Sequence, residues 1–233
     1  MITAALAVAA LCGVAGRAAE VTLPAPGGPA WQPLEFSKIP RHTRYEQVEA
    51  GRVLRADSDC AASGLLLPLE AVDLTATPRL RWRWKVEKPI DATLDERSKS
   101  GDDFAARVYV AFAFEPERAG VWERARRRLG AALYGEDLPG SAINYVWSRN
   151  EPAGASWPNP FVPSSVMVSL GGGALDTWHV EEVDLLADYA RLFGAEAPAP
   201  LFLALMTDTD GTCAEARAFY ADFRLLPRKS GTE

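Results

Sequence analysis

Short runs in which hydrophobic and polar residues alternate recur along most of the chain, and turn-forming residues separate them. Residues 80–86, LRWRWKV, show the pattern most clearly. Such alternation over about four to eight residues is typical of a half-buried β-strand. The predicted strands lie in GRVLRAD, GLLLPLEAVDL, LRWRWKV, FAARVYVAFAF, AINYVWS, SSVMVSLGG, WHVEEVDL, LFLALMTD and AFYADFRLL.

About nine strands favour a mainly β fold in which two sheets of roughly four or five strands pack as a β-sandwich. Two segments between strands are predicted to be helical. Residues 116–135 carry an apolar stripe with arginines on the remainder, and residues 184–194 end at a glycine that suits a helix C-cap. We expect the first helix to cover one end of the sandwich; the alternative is a helix that lies on a membrane surface.

The strand at residues 80–86 has one hydrophobic and one basic face. Trp82 and Trp84 share the first face, and Arg81, Arg83 and Lys85 share the second. Because successive side chains of a strand point to opposite faces of the sheet, we predict that both tryptophans are core residues rather than a ligand platform.

The stretch GDDFAARVYVAFAF, residues 101–114, has a mixed second face. Val108 and Val110 lie on its hydrophobic face, whereas Asp103, Arg107 and Tyr109 lie in the opposite phase among alanines. If this strand and residues 80–86 both turn their hydrophobic faces inward, Arg83, Arg107 and Tyr109 share one polar face, which Asn144 of a further strand can join.

Such a face resembles the lining that sugar-binding sandwiches use, because polar groups fix the ligand and an aromatic ring stacks on it. In that case Arg107 is partly accessible and bonded to Asp103 or Asp208, and spare positive charge favours an acidic sugar or a carboxylate. The alternative is a hydrated face held by cross-strand ion pairs. The predicted ligand-binding residues are Arg83, Asp103, Arg107, Tyr109, Asn144 and Asp208.

The first residues have the pattern of a signal peptide. An apolar run over residues 2–15 precedes small residues that suit signal peptidase, although no basic residue comes before it. We predict a signal peptide over 1–19, a linker over 20–30, one domain over 31–228 and a disordered tail over 229–233, with a periplasmic or secreted location and no transmembrane anchor. The alternative is an N-terminal core helix.

Charge and motifs narrow the function classes. The formal net charge of -6 argues against a nucleic-acid or anionic-membrane binder. The chain contains no GxSxG elbow, Walker loop, HExxH or CxxC motif, and two histidines are too few for a His-rich metal site. Oligomeric state stays open.

Two polar loops carry further expectations. Removal of the signal peptide leaves Cys60 and Cys213, which an oxidising compartment favours as a disulfide; the alternative is two free thiols. Asp208 and Asp210 of MTDTDGT have the oxygen ligands that suit a structural Ca²⁺, but a turn with aspartates capping backbone N–H groups explains the same residues. No other cofactor is expected.

The order of several blocks is similar to that of a bacterial family known as domain of unknown function 3047: LRWRWKV, DERSKSGDDFAARVYVAF, LPGSAINYVWS, DYARLFG, MTDTDGT and AFYADFRLL. This resemblance implies an exported protein of one domain and supplies no catalytic residues. The C-terminal part also resembles galactose-binding-like jelly rolls, with Asp222 at the position of an acidic residue in their closing strand. That resemblance implies a jelly-roll sandwich, sugar binding and one structural Ca²⁺.

Two functions follow as hypotheses. The first is an exported, non-catalytic binding module for a glycan or another cell-envelope component. The alternative is a polysaccharide hydrolase or lyase in which two carboxylates among Asp102, Asp103, Asp208 and Asp210 act as acid and base across an open cleft.

Overall fold

The computed structural model describes residues 18–91, 93–116 and 139–229. Within these residues the chain forms thirteen strands and one helix. In chain order they are β1 (Val21–Thr22), β2 (Gln32–Leu34), β3 (Arg44–Val48), β4 (Val53–Asp59), β5 (Gly64–Pro68), β6 (Arg79–Lys88), β7 (Arg107–Phe112), β8 (Ser141–Val146), β9 (Ser156–Pro158), β10 (Ser165–Ser169), β11 (His179–Asp184), α1 (Leu185–Phe193), β12 (Pro200–Met206) and β13 (Glu215–Leu226).

The strands form two sheets that pack as a β-sandwich, as predicted. The first sheet has the order β11-β6-β13-β4-β3, with β1 also paired to β13, and the second has the order β2-β5-β12-β7-β8-β10-β9. All nine predicted strands are present. Both sheets are larger than predicted because β1, β2 and β9 are too short to show alternation and β3 lies at an edge, where both faces carry polar residues.

The core lies between the sheets. Trp82 and Trp84 of β6 are 0% exposed, which confirms their prediction as core residues. Their rings meet edge to face at 5.4 Å between centroids, and Trp82 also stacks on Phe223 of β13 at 6.4 Å. Full burial of a large apolar side chain contributes about 1.5–3 kcal/mol.

The two strands that suggested a shared polar face belong to different sheets. β6 pairs with β11 and β13, whereas β7 pairs with β12 and β8. Because Trp82 and Val108 both point into the core between the sheets, Arg83 and Arg107 point out of opposite sides of the sandwich. The expectation that Arg83 and Arg107 share a face is therefore wrong.

The short helix is confirmed, and the caps define its ends. Asp184 accepts a hydrogen bond from the Ala187 N–H at 3.0 Å, and Gly194 has the positive φ of 68° that favours glycine at a C-cap. The predicted helix at 116–135 and the predicted signal peptide lie outside the described residues, apart from Pro116 and residues 18–19. In the described part of the chain, no helix has the length and hydrophobicity of a membrane span.

Candidate functional site

The polar residues around β7 form a buried cluster on the outer face of the second sheet, defined here as Asp102, Asp103, Arg107 and Asp208. The Arg107 Nε donates to Asp208 Oδ1 at 2.7 Å, and Nη2 contacts both Asp208 Oδ2 and the Asp102 carbonyl. The Arg107 and Asp208 side chains are 3% and 2% exposed. They form a buried, two-point ion pair, the strong form of arginine–carboxylate contact.

Hydrophobic side chains cover this ion pair. The Phe104 ring lies against the Arg107 guanidinium, 4.7 Å from Cζ to the ring centroid. Phe104 also packs with Val146, Trp157 and Met167 into a second, smaller hydrophobic cluster outside the sheet. The expectation that Arg107 is partly accessible is therefore wrong, because the segments before β7 and around β9 fold over it.

Burial also shifts the acids of the cluster. It raises the pKa of the Asp208 carboxyl well above its usual range, and the Arg107 guanidinium opposes this rise. Burial likewise raises the pKa of Asp102, opposed by Arg107 and by the amide of Asn159, which donates to Asp102 Oδ2 at 3.3 Å. Both acids thus depend on Arg107 to carry a charge, which is the arrangement of a structural ion cluster.

Tyr109 and Asn144 lie side by side on neighbouring strands of the same outer face. Tyr109 is half-buried; its hydroxyl accepts from Arg107 Nη1 at 3.2 Å and donates to Met206 Sδ at 3.4 Å. Asn144 is 1% exposed and donates to Ser165 Oγ. The structure thus brings together five of the six predicted binding residues, most of them buried: Asp103, Arg107, Tyr109, Asn144 and Asp208.

The acids predicted to hold Ca²⁺ lie near a third acid. Carboxylate oxygens of Asp103, Asp208 and Asp210 fall within 4.8 Å of one another. However, Asp103 accepts from the Gly211 and Thr212 N–H groups at 3.2 and 2.6 Å, and Asp208 is engaged in the ion pair described above. These contacts are those of a turn capped by an aspartate, and the calcium site stays a prediction.

The predicted disulfide between Cys60 and Cys213 is present. Cys60 follows β4 and Cys213 precedes β13, two strands that pair antiparallel. The same turn is held by a hydrogen bond between Ser58 Oγ and Thr209 Oγ1 at 2.8 Å. The bridge and this bond fasten the segment that carries Asp208 to the rim of the first sheet.

Arg83 lies on the outer face of the first sheet, in a group that we call the aromatic platform: Arg83, Lys85, Trp178 and Phe219. The Arg83 Cζ lies 4.2 Å from the Trp178 ring centroid, and Lys85 Nζ lies 4.3 Å from that of Phe219. The two rings meet edge to face at 6.5 Å. Both rings are partly exposed. The stacked cations therefore fix two aromatic rings at the surface of the protein.

Carboxylates neutralise both cations of the platform. Arg83 Nε lies 2.6 Å from Asp222 Oδ2, and Lys85 Nζ lies 2.8 Å from Glu87 and 3.0 Å from Asp176. The Asp222 side chain is 50% exposed and that of Asp176 is 73% exposed. These are surface ion pairs, each worth about 0–1 kcal/mol.

A bulge in β13 positions Asp222. The pairing with β6 shifts register between Ala221 and Arg224, and Asp222 has a positive φ of 58°. The extra residues let Phe223 point into the core while Asp222 stays on the outer face. A bulge that re-aims a side chain in this way is common next to binding sites.

Comparison with known families identifies the chain. A family model described as protein of unknown function (DUF3047) matches residues 29–224. The chain belongs to this family. A search of the curated proteins finds no match.

Several solved structures are similar to this DUF3047 protein. A family 11 carbohydrate-binding module from Clostridium thermocellum is 8% identical with a TM-score of 0.45, covering 94% of this chain and 100% of that one. A family 30 module from the same organism is 10% identical with a TM-score of 0.45, over 91% and 99%. Trichoderma harzianum endoglucanase 3 is 10% identical with a TM-score of 0.35, over 78% and 81%. At these values the similarity assigns no ligand and no site residue to this chain.

Sequence reasoning missed Trp178, Phe219 and the place of Asp222 beside Arg83. One signal was available: Phe219 alternates in phase with Arg217, opposite to the buried Ala218 and Tyr220, so it had to face outward. No signal placed Trp178, because it precedes β11 and reaches Arg83 only after β11 pairs with β6.

Proposed function

We propose that this DUF3047 protein is an exported, non-catalytic binding module for a glycan or another cell-envelope component, and that the aromatic platform is its binding surface. One observation carries the proposal: Trp178 is partly exposed above the sheet while the Arg83 guanidinium covers one face of its ring. A ring fixed in this way offers apolar surface to the C–H face of a sugar and loses little freedom on binding.

The buried cluster supports this proposal over a hydrolase or lyase. Glycoside hydrolysis needs two carboxyl groups about 5–10 Å apart across an open cleft. Of the four candidate acids, Asp102, Asp103 and Asp208 are 8%, 5% and 2% exposed, and Asp210 alone is exposed. These four residues therefore offer a substrate no pair of accessible carboxylates.

Export is supported by two features. The sequence begins with an apolar run followed by small residues, and Cys60 is bonded to Cys213. Disulfides persist in oxidising compartments and are rare in the cytosol.

Affinity electrophoresis of the mature protein through gels that contain envelope polysaccharides tests the proposal. We expect retarded migration that Trp178→Ala abolishes. The matched control is Phe161→Ala, which removes a 59% exposed ring located in the loop after β9, beside the other sheet. Loss of retardation in both variants, or in neither, contradicts a binding role for the platform, and migration unaffected by every polysaccharide contradicts glycan binding itself.

A further inference from the structure

We propose that the platform selects uncharged sugar chains, and that Asp222 binds neighbouring hydroxyl groups of a pyranose unit stacked on Trp178. This inference rests on the proposed function and names the ligand class of the same surface. It replaces the expectation of an acidic ligand, which depended on spare positive charge from Arg83 and Arg107 on one face.

The charges of the platform disfavour an acidic ligand. Arg83 is paired with Asp222, and Lys85 is paired with both Glu87 and Asp176. At the platform three carboxylates thus face two cations, so Arg83 and Lys85 leave no unpaired positive charge beside Trp178 for a uronate or a phosphate. The net charge of -6 adds a repulsive field for polyanions at low ionic strength.

The hydrogen-bonding groups of the platform suit hydroxyls. Asp222 Oδ2 lies 2.6 Å from Arg83 Nε in an ion pair, whereas none of the described residues donates a hydrogen bond to Asp222 Oδ1. The two lone pairs of Oδ1 on this half-exposed carboxylate can accept from two adjacent hydroxyls. The Trp178 Nε1 likewise has no acceptor among the described residues, and it supplies a donor at the edge of the same ring.

The backbone makes Asp222 a fixed acceptor. Its positive φ and the bulge of β13 set the direction of the side chain, while Phe223, 1% exposed, anchors the bulge in the core. Arg83 lies between Asp222 and the Trp178 ring and contacts both. Ring, donor and acceptor are therefore held by one side chain, and a sugar can meet all three without rearranging the sheet.

Isothermal titration with cellohexaose, hexagalacturonate and a chitosan hexamer tests the selectivity. We expect cellohexaose to bind, and hexagalacturonate to bind at least about tenfold more weakly, a difference of about 1.4 kcal/mol. Tighter binding of hexagalacturonate overturns the inference but leaves the proposed function standing. Binding of the chitosan hexamer alone also overturns it, because charge attraction would then replace hydroxyl recognition.

The role of Asp222 is tested by Asp222→Asn with Asp176→Asn as the matched control. Both residues have positive φ, which asparagine tolerates, and both pair with a platform cation. We expect Asp222→Asn to weaken cellohexaose binding about tenfold and Asp176→Asn to change it less than about twofold. Equal effects of the two variants, with unchanged melting temperatures, overturn the assignment of Asp222. If no hexamer and no envelope polysaccharide binds the parent protein, the proposed function fails as well.

Discussion

The two outer faces of the sandwich hold the same residue types in opposite surroundings. On the second sheet, Arg107 and Asp208 are nearly inaccessible, and hydrophobic side chains cover them. On the first sheet, Arg83 and Asp222 remain 30% and 50% exposed, and the Arg83 guanidinium stacks on the Trp178 ring. An arginine–aspartate pair on an outward sheet face is therefore buried in a structural cluster where chain segments fold over the face, and open to solvent, as at the proposed binding surface, where they do not.

Removing one arginine from each face tests this difference most directly. Arg107→Ala leaves Asp208 buried without its partner and should lower the free energy of unfolding by about 3–5 kcal/mol. Arg83→Ala, the matched control, removes a surface pair and a stacking contact and should cost less than about 1 kcal/mol. Urea unfolding measures both. Similar costs for the two variants would show that the faces do not differ in this way.

The disulfide is a second feature that only the buried cluster has, because it fastens the turn that carries Asp208. The bridge joins residues 153 positions apart. Replacing Cys60 and Cys213 together by serine should lower the free energy of unfolding by about 2–4 kcal/mol, since the unfolded chain regains the freedom of a long loop. Unfolding of the oxidised parent, the reduced parent and the double variant separates the bridge from the substitutions. A reduced parent as stable as the oxidised one would contradict the expectation.

A smaller effect concerns Glu96, in the segment that covers the second sheet. Burial raises the pKa of Glu96 above its ordinary 4.5, although the Ser148 hydroxyl and the Arg149 N–H donate to its carboxylate. The unfolded chain therefore loses this proton at lower pH than the folded protein does. The stabilisation from Glu96 is present below its ordinary pKa and is lost as the pH rises through the raised pKa.

Comparison of the parent with Glu96→Gln isolates this contribution. The free energy of unfolding of the parent, relative to the variant, should rise by less than about 1 kcal/mol as the pH falls from about 7 to about 4. Urea unfolding at several pH values measures the difference. Parallel curves for the two proteins would mean that Glu96 titrates alike in the folded and unfolded chains.

The sequence predicted which face of each long strand is buried, but it did not predict which sheet each strand joins. Alternation identified Trp82 and Trp84 as core and put Arg83 and Arg107 on outward positions, and the structure confirms both points. Periodicity carries no information on pairing, so β6 and β7 could not be assigned to opposite sheets. Periodicity also could not predict that other segments fold over the outward face of β7, because Phe104 and Trp157 are far apart in sequence and meet only in the folded chain.

The place of β13 in the first sheet determines when that sheet can form. β13 is the last strand in chain order, yet it lies between β4 and β6 and also pairs with β1, so that Val21 is opposite Leu225. The early strands β1, β3 and β4 cannot complete their sheet until residues 215–226 have been synthesised. Topologies dominated by such long-range pairings fold slowly, on the order of milliseconds to seconds. In a nascent chain, β4 and β6 therefore lack their common neighbour until synthesis has reached the end of β13.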